Sequence, residues 1–263
     1  MNMKQCIAAA VGAVAVLGGC AGSQDYAPVA VATYNIRGAH GLDYVFDIDR
    51  TAAAITRLNA ETVALNEVDN LTDRCGNLDI TAMLGERTPL KYHFFIPAFK
   101  LPGGMYGSAL LSRYPIEPVE VFPIPDNDDE TRAAGLVRIA APVPYYVVVT
   151  HYPYEDNLND RRVTATEKIA EKLSEHNAFP AIVMGDLNVS PDAPPIQRFR
   201  ELGFKVSNDA APDELTYPAD KPDQMIDYII FYPADAVEII DHGVAFEPEA
   251  SDHRPVFTVF SFR

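Results

Sequence analysis

Apolar runs alternate with amphipathic segments along the chain, and most of the apolar runs stop at a polar residue. Residues 29–36 and 62–65 are β-type runs, and residues 47–59 between them carry apolar side chains at helical spacing on one face. Residues 159–177 form the longest helical pattern and precede another apolar run at 181–184. This alternation of strand and helix predicts an α/β fold built in layers.

Shorter patterns fill the rest of the chain. Further helices are predicted at residues 78–86 and 196–202, and further strands at 91–99, 108–112, 116–122, 136–140, 145–150, 225–232, 236–242 and 255–260. We expect the strands from 108 to 140 to form an antiparallel meander, with a glycine-rich loop at 101–107 before it and an acidic loop at 123–130 within it. No internal repeat or linker divides the chain, which predicts one domain over residues 29–263.

The strand predicted at residues 181–184 ends abruptly at Gly185-Asp186-Leu187-Asn188. Glycine lets the backbone bend closely at this point, and Asp186 and Asn188 then project beyond the end of the strand. A carboxylate and an amide at this spacing can hold a hard metal ion, or hold a water molecule against a phosphorus centre. The alternative is an Asx turn that closes the strand.

Polar residues suited to metal binding or proton transfer end the other apolar runs as well. They are Asn35, Glu67, His151, Asp227 and the sequence Ser251-Asp252-His253. Asp227 stands inside an apolar run, where a carboxylate costs free energy unless it is paired or bound. Asp252 and His253 offer a carboxylate for a metal ion beside an imidazole for proton transfer or phosphate binding. Strand caps do not explain so many such residues, which indicates an active site where strands end.

The composition is typical of a folded globule and argues against a dedicated nucleic-acid binder. The 263 residues are 48% hydrophobic, and the formal net charge is −16. No run of five or more Lys or Arg residues occurs, so the basic surface of such a binder is missing. A polyanionic substrate would have to be drawn in by a local patch or by a metal ion.

The first nineteen residues have the form of a signal peptide, with Lys4 as a positive start and an apolar, alanine-rich run at residues 7–19. Leu17-Gly18-Gly19-Cys20 resembles the bacterial lipobox, which predicts cleavage before Cys20 and lipidation of that cysteine. Residues 20–28 would then be a tether, and the protein would be extracytoplasmic and anchored to the bacterial membrane by its lipid. An ordinary signal peptide with a coincidental cysteine is the alternative.

Cys75 is the one cysteine left once Cys6 leaves with the signal peptide and Cys20 carries lipid, so no internal disulfide is expected. A catalytic thiol would need a histidine close by, and the sequence Asp73-Arg74-Cys75-Gly76 has none. We therefore expect a buried or loop cysteine at this position.

Six motifs together resemble the endonuclease/exonuclease/phosphatase family, in the family's order and over nearly the whole mature chain. They are Thr33-Tyr34-Asn35-Ile36-Arg37, Leu65-Asn66-Glu67-Val68-Asp69, Thr150-His151, Gly185-Asp186-Leu187-Asn188, Ile226-Asp227-Tyr228 and Ser251-Asp252-His253. Gly-Asp-x-Asn is weak alone, but its combination with a C-terminal Ser-Asp-His is specific. The resemblance implies a DNase I-like fold, in which a two-sheet β-sandwich is flanked by helices in four α/β/β/α layers with the site at one edge. It also implies Mg²⁺-dependent cleavage of phosphate esters.

The resemblance implies a set of cation ligands and a phosphate contact. Glu67 would be the main Mg²⁺ ligand, with Asn35 and Asp252 nearby, and Arg132 resembles the arginine that contacts the phosphate. Protein ligands that are all oxygen favour Mg²⁺, Mn²⁺ or Ca²⁺ over Zn²⁺. The chain departs mildly from the family at Asn66, where many members have glutamine.

The resemblance also implies the catalytic roles. Asp186 would orient or deprotonate the attacking water, and Asn188 would hold a non-bridging phosphate oxygen. His253, set by Asp227, would be an acid/base or phosphate-binding imidazole, and His151 would be a second such group. In-line displacement at phosphorus needs these parts, because it requires a positioned water and donors for the developing negative oxygens.

These features predict a lipid-anchored, monomeric phosphoesterase that hydrolyses mono- or diesters of small or lipid-linked molecules at the bacterial envelope. Residues 100–107 and 216–222, with Lys100 and Lys221, are candidate walls of the substrate pocket, and ordinary glycine and proline turns are the alternative. An extracellular nuclease acting on DNA or RNA would use the same catalytic set. A catalytically silent binding module on the envelope is a third hypothesis.

Overall fold

The computed structural model describes residues 27–125 and 131–263. The predicted signal peptide, Cys20 and most of the tether lie outside the described residues, as do residues 126–130 of the predicted acidic loop. The strands are β1 (Val29–Asn35), β2 (Thr62–Asn70), β3 (Tyr92–Leu101), β4 (Gly104–Ser112), β5 (Ile116–Ile124), β6 (Arg132–Ile139), β7 (Tyr145–Thr150), β8 (Ala181–Asp186), β9 (Lys205–Val206), β10 (Asp227–Tyr232), β11 (Val237–Val244) and β12 (Val256–Phe262). The α-helices are α1 (Ile48–Arg57), α2 (Ile80–Arg87), α3 (Asn159–Glu175) and α4 (Pro194–Glu201).

The strands of the described ranges form two six-stranded sheets. The first sheet has the order β11-β12-β1-β2-β4-β3, and the second has the order β5-β6-β7-β8-β10-β9. β1 pairs in parallel with β2, and β7 pairs in parallel with β8, whereas the other neighbours are antiparallel. Each sheet therefore has a parallel pair at its centre, and the two strands of a parallel pair end at the same edge.

The two sheets pack face to face and are covered on both outer sides by helices. Side chains such as Val31 and Leu110 of the first sheet meet Val147 and Ile229 of the second in a buried apolar core. α1 and α2 pack on the outer face of the first sheet, and α3 and α4 pack on the outer face of the second. The predicted four-layer sandwich is thus confirmed.

Two helices begin at aspartates that cap them. The Asp47 carboxylate accepts a hydrogen bond of 2.9 Å from the Arg50 N–H at the start of α1, and Asp79 accepts one of 3.0 Å from the Ala82 N–H at the start of α2. Such caps satisfy backbone donors that the first helical turn leaves unpaired. The helices predicted at 47–59 and 78–86 are therefore confirmed, with their first residues as caps or flanks. Within the described ranges, no helix is both long and apolar enough to cross a membrane.

Residues 101–107 belong to a β-hairpin, so the predicted loop is wrong. β3 continues to Leu101, the chain reverses at Pro102-Gly103, and β4 begins at Gly104. A Cβ at Gly104 would lie 2.1 Å from the Asn70 carbonyl oxygen, and Gly103 has a φ of +84°. The glycines are therefore needed for a close backbone approach at Gly104 and a tight turn at Gly103, and they do not mark a flexible loop.

The predicted antiparallel meander is correct for β5 and β6, which pair antiparallel, and wrong for its first strand, which lies in the other sheet. β4 belongs to the first sheet, whereas β5 and β6 belong to the second, and the chain crosses between the sheets at residues 113–115. Strand alternation looks alike in both sheets, so the pattern along the chain did not reveal the crossing. The two-residue β9 was missed because so short a strand has no periodicity.

Cys75 is buried, as expected. Its Sγ donates to the carbonyl oxygens of Thr72 and Leu78 at 3.2 and 3.4 Å, in the turn that follows β2. A thiol held in this way behaves as a small packed side chain.

Gly185 in β8 lies against the neighbouring strand so closely that no other residue fits. Its φ is +151°, and a Cβ there would lie 1.9 Å from the Thr150 carbonyl oxygen. We expect Gly185→Ala to lower the free energy of unfolding by more than about 3 kcal/mol, because the atom met is backbone and cannot move aside. Denaturant unfolding measures this loss.

Gly203→Ala is the matched control. Gly203 has a φ of +86°, but the nearest atom to a Cβ there is Tyr232 Cε2 at 3.9 Å, so the substitution should cost only about 1 kcal/mol of backbone strain. Equal losses in the two variants would contradict the steric explanation at Gly185.

Candidate active site

The strand pairing brings the predicted site residues to one edge of both sheets. Asn35 at the end of β1 lies opposite Asn66 in the parallel β2, and Glu67 follows. β10 is antiparallel to β8, with Asp227 directly opposite Asp186. The remaining candidates lie at or just beyond the ends of neighbouring strands at this edge, and they are Arg132, His151, Asn188, Asp252 and His253.

Glu67 is turned toward the site by an irregularity in β2. The pairing of β2 with β4 shifts register between Leu65 and Val68, and Glu67 has a φ of +57°. A bulge of this kind re-aims a side chain, and a left-handed backbone at a residue with a Cβ costs roughly 1 kcal/mol or more. Strain of this kind is concentrated at functional sites, which supports the prediction that Glu67 belongs to one.

Asn35 links the carboxylates of the two sheets. Its buried amide donates from Nδ2 to Glu67 Oε1 at 3.0 Å and to Asp186 Oδ2 at 3.1 Å. Its Oδ1 accepts from the Arg37 N–H at 3.1 Å. In this arrangement Asn35 acts as a donor to two carboxylates, and its role beside a bound cation stays a prediction.

Asp186 lies at the centre of the site and is almost fully buried. Its Oδ1 accepts from the Asn188 N–H at 2.9 Å, and its Oδ2 lies 3.5 Å from His151 Nε2 and 3.8 Å from His253 Nε2. Burial raises the pKa of Asp186 to about 7, and the charge of Asp227 acts in the same direction. A carboxylate with such a pKa can exchange a proton near neutral pH.

His253 and Asp227 form a buried ion pair. His253 Nδ1 donates to Asp227 Oδ2 at 2.9 Å. Burial lowers the pKa of His253, but the nearby Asp227 outweighs this effect, and together with Asp186 and Asp252 it raises that pKa to about 10. The imidazole is therefore cationic at neutral pH, with Nε2–H directed toward the centre of the site.

His151 has the opposite protonation state. Arg132 Nη1 lies 3.0 Å from His151 Nδ1 and can only donate to it, which assigns the ring proton to Nε2. Burial lowers the pKa of His151 well below its usual value, and the charges of Arg132 and His253 lower it further. A neutral imidazole thus presents an N–H toward Asp186.

Asn188 is held by its own backbone conformation and by one side-chain hydrogen bond. Its φ is +50°, and its Nδ2 donates to the Tyr152 carbonyl oxygen at 3.0 Å. One amide hydrogen is used in this contact, so the second remains for a ligand. The predicted contact between Asn188 and a phosphate oxygen is compatible with this geometry and stays a prediction.

Asp252 is half-buried at the mouth of the site. The Ser251 hydroxyl donates to the Asn35 carbonyl oxygen at 2.7 Å and lies 3.3 Å from Asp252 Oδ1, so the loop is fixed against β1. Arg37 Nε lies 3.4 Å from Asp252 Oδ2. This places a third carboxylate next to the elements that carry Glu67 and Asp186.

The oxygen donors here suit a hard divalent cation such as Mg²⁺, Mn²⁺ or Ca²⁺. Asn35 contacts the carboxylates of both Glu67 and Asp186, and the Ser251 hydroxyl joins the Asp252 loop to the Asn35 backbone. Carboxylates packed this closely repel one another. The Oδ1 atom of the buried Asp227 has no hydrogen-bond partner among the described residues. A cation would offset this concentration of negative charge. The residues therefore fit the predicted metal.

A second grouping also has the spacing of a metal site. One ligand atom from each of Asp186, Asp227 and His253 lies within 4.8 Å of the others. The predicted cation ligands Glu67 and Asp252 lie outside this grouping and stay a prediction, and a metal at His253 Nε2 would have to displace the proton that the raised pKa of His253 holds there.

Sequence reasoning undervalued Asn66. Its buried Oδ1 accepts from the Asp186 N–H at 2.9 Å, and its Nδ2 donates to Ser108 Oγ at 3.0 Å and to the Thr150 carbonyl oxygen at 2.9 Å. Asn66 therefore ties the first sheet to the second at the site. The available signal was an amide inside an apolar strand next to Glu67.

Two tyrosines at the site were missed as well. The buried Tyr106 hydroxyl is hydrogen-bonded to Arg132, and its pKa is raised by burial and by Glu67. The Tyr217 ring lies 4.9 Å from the His253 ring. Both residues come from the segments predicted as pocket walls, 100–107 and 216–222, so each segment contacts a site residue.

This fold and this group of carboxylates, histidines and an arginine define a phosphoesterase of the two-sheet sandwich class. The sequence model of the Endonuclease/Exonuclease/phosphatase family matches residues 32–253, and the chain belongs to that family. Members of the family are metal-dependent phosphoester hydrolases, and this chain is an enzyme of that class. No match is found among curated proteins.

Several solved structures have a similar fold. An endonuclease/exonuclease/phosphatase from Beutenbergia cavernae is 21% identical with a TM-score of 0.71, covering 89% of this chain and 72% of its own. A mannosyl-6-phosphatase from Bacteroides thetaiotaomicron is 18% identical with a TM-score of 0.68, covering 89% and 100%. TDP2 from D. rerio, complexed with a single-strand DNA product, is 15% identical with a TM-score of 0.62, covering 89% and 99%.

The protonation of His253 depends on Asp227 and can be tested directly. In the wild type we expect the imidazole to stay protonated up to about pH 10. Asp227→Asn removes the paired charge while burial remains, so the pKa of His253 should fall well below that value. Ring chemical shifts in a pH titration by NMR measure it, with His253→Gln to assign the signal.

Asp186→Asn serves as the matched control for this titration. Asp186 adds less to the pKa of His253 than Asp227 does, so its substitution should lower that pKa by less. An unchanged His253 titration in Asp227→Asn would show that the pair does not set the charge of the ring.

Proposed function

We propose that this phosphoesterase acts at the bacterial envelope, on phosphate mono- or diesters of small or lipid-linked molecules. The observation that carries the proposal is the environment of Asp186. It is a buried carboxylate with a pKa near neutrality, between oxygen donors suited to a cation and two histidines in opposite protonation states. This is the arrangement that attack of water on phosphorus requires.

In the proposed mechanism Asp186 receives the proton of the attacking water. Its pKa of about 7 matches this task, because a general base works best near the operating pH. The Asn188 N–H fixes Oδ1, and the Asn35 amide holds Oδ2, whose second lone pair can accept the proton of the water. The neutral His151, 3.5 Å from Oδ2, orients that oxygen through its Nε2–H.

Charge on the phosphate is stabilised from two sides. The protonated His253 donates from Nε2 to a phosphate oxygen, and Arg132 adds positive charge beside His151. Glu67 and Asp252, with Asn35 next to them, would hold the Mg²⁺, Mn²⁺ or Ca²⁺ ion, which neutralises negative charge on the phosphoryl group when bound.

Small or lipid-linked esters are favoured as substrates by the charge of the chain. A net charge of −16 without a basic run opposes binding of a long polyanion. Among structurally similar proteins, one is a mannosyl-6-phosphatase, which supports a small phosphate ester. We propose that the enzyme acts as a monomer.

A nuclease is the second candidate. The similar TDP2 structure contains a single-strand DNA product, and a phosphodiester backbone requires no base readout. Cleavage of DNA or RNA that falls steeply with rising salt would support this candidate, because phosphate contacts release counterions.

Attachment to the membrane through a lipid on Cys20 is part of the proposal. It is supported by the apolar run and by Leu17-Gly18-Gly19-Cys20. We expect the wild-type chain to fractionate with membranes and the Cys20→Ser variant to lose lipid labelling. Equal labelling of both chains would contradict lipidation at Cys20.

Substitution of Asp186 tests the proposed site. Asp186→Ala should lower kcat by about 10²- to 10⁴-fold, because the general base is lost. Thermal unfolding should stay near that of the wild type, since a buried carboxylate with a raised pKa adds little to stability. Retention of most of the activity would overturn the site assignment.

Substitution of Glu67 tests the cation side of the site. Glu67→Gln should raise the Mg²⁺ concentration at half-maximal rate by about tenfold or more, because a charged ligand becomes neutral. Glu61→Gln is the control, since Glu61 pairs with Arg113 on the surface and should leave the metal dependence unchanged.

The substrate class is tested by a panel of esters. The full chain in detergent is assayed with Mg²⁺ or with EDTA on plasmid DNA, RNA, a nitrophenyl phosphodiester, inositol phosphates and phospholipid headgroups, with Asp186→Ala as blank. Metal-dependent hydrolysis of the small or lipid esters with DNA spared is the expected result. Comparable nicking of plasmid would favour the nuclease, and no turnover of any ester would contradict both.

A further inference from the structure

Two arginines reach the site from different sheets, and the proposed mechanism uses one of them. Arg132 begins β6 of the second sheet and contacts His151. Arg37 follows β1 of the first sheet and pairs with Asp252 instead. The positive charge of Arg37 therefore lies beside the cation-binding carboxylates and not beside the histidine that Arg132 contacts.

The backbone at Arg37 is held in an unfavourable conformation. Its φ is +49°, and the next two residues, Gly38 and Ala39, both have a φ of +61°. The Arg37 N–H donates to Asn35 Oδ1 at 3.1 Å, and its carbonyl oxygen accepts from the His40 N–H at 3.1 Å. Such strain persists only where the surroundings enforce it, and it fixes the point from which the Arg37 side chain leaves.

The side chain of Arg37 lies at the mouth of the site. Its guanidinium stacks on the Tyr44 ring, with the Cζ atom 4.6 Å from the ring centroid. The Arg37 side chain is 26% exposed, and Tyr44 is 74% exposed. A large aromatic ring so exposed contributes little to folding, but it orients the guanidinium at low entropic cost.

The ion pair between Arg37 and Asp252 is loose. Its Nε–Oδ2 distance of 3.4 Å exceeds the roughly 2.7–2.9 Å of a charge-assisted hydrogen bond. Asp252 is also one of the proposed cation ligands, so a bound cation competes with Arg37 for its charge. In the loaded enzyme the planar fork of Arg37 is then available to an anion from solution.

A second aromatic residue stands on this side of the site. The Tyr217 ring contacts His253, and the Ala219 N–H in the same segment donates to the Asp252 carbonyl oxygen at 2.7 Å. The charge of Arg37 also acts on the Tyr217 hydroxyl. Arg37, Tyr44 and Tyr217 thus lie together on the side of the site that carries Asp252.

We propose that Arg37, oriented by Tyr44, determines substrate specificity by binding a second anionic group on the substrate. The preferred substrate is then a phosphate ester whose alcohol part carries another phosphate or a carboxylate. A guanidinium recognises either group through two parallel N–H donors, which an uncharged sugar or alcohol cannot match. This inference rests on the proposed phosphoesterase function.

Kinetics on a matched pair of substrates test the proposal. Fructose 1,6-bisphosphate and fructose 6-phosphate share a sugar and differ by one phosphate. With the full chain and Mg²⁺, kcat/KM should be at least about tenfold higher for the bisphosphate. Arg37→Ala should remove that preference through KM with kcat nearly unchanged, and Arg37→Lys should restore part of it because a point charge remains.

Arg113→Ala is the control for a lost surface arginine. Arg113 pairs with Glu61 in an exposed contact of 3.2 Å, so its loss should leave both substrates unaffected. The Mg²⁺ concentration at half-maximal rate is measured in the same variants. It should stay the same or fall in Arg37→Ala if Arg37 contacts the substrate, because the cation no longer competes with Arg37 for Asp252, whereas loss of a residue that only supports Asp252 would raise it.

A binding measurement separates this inference from the proposed reaction. Calorimetric titration of fructose 1,6-bisphosphate into Asp186→Ala should give a Kd at least about tenfold lower than titration into Asp186→Ala/Arg37→Ala. That difference would support the inference even if the wild type turned over neither sugar phosphate. Failure of the wild type on every ester, by contrast, would overturn the proposed function alone.

Three results would overturn the role of Arg37. The first is an equal fall in kcat/KM for both sugar phosphates in Arg37→Ala. The second is a rise in the Mg²⁺ requirement that accounts for the whole effect, and the third is equal affinity of the two Asp186→Ala proteins for the bisphosphate. Any of these would make Arg37 a structural partner of Asp252.

Discussion

The hydrogen bonds of a single buried amide, that of Asn66, determine how the two sheets meet at the active site. The amide Oδ1 accepts from the backbone N–H of Asp186, and Nδ2 donates to the Thr150 carbonyl oxygen and to Ser108 Oγ. These contacts join β2 to β4, β7 and β8, one of them holds the backbone of the residue that carries the proposed catalytic carboxylate, and they require that Gly185 carry no side chain. A buried amide with every partner satisfied holds its neighbours rigidly, because any shift leaves a polar group unpaired. The placement of Asp186 is therefore a property of the sandwich as a whole.

The charges of the site follow from that rigid frame. Carboxylates from both sheets are brought together where little water can screen them. Asp227 raises the pKa of His253 and keeps its imidazole protonated, whereas burial raises the pKa of Asp186 to about 7. His151, facing Arg132, is kept neutral. Two histidines within about 4 Å of one carboxylate thus have different protonation states, because their outer partners differ in charge. A bound cation would offset the remaining negative charge and so allow an anionic phosphate ester to approach.

Much of this arrangement was predictable from the sequence, and the limits have physical causes. Apolar runs that end at or near Asn35, Glu67, His151 and Asp186 predicted both the layers and the edge that carries the site, because the parallel strands β1 and β2, and β7 and β8, end on the same side. Contacts across the sheets are a different matter. The partners of Asn66 are 42, 84 and 120 residues away along the chain, and no periodicity relates them. Likewise the assignment of β4 and β5 to different sheets, and the stacking of Arg37 on Tyr44, depend on turns whose direction the pattern of apolar residues does not encode.

The direction of β1 has a consequence for how the enzyme is presented to its surroundings. Val29 and Asn35 are the two ends of this strand, so they are separated by about 20 Å along the sheet. The N-terminal end of β1 therefore lies on the side of the sheet opposite the edge that carries the proposed site. A molecule held to a surface at this end of β1 would present the proposed site on the side facing away from that surface.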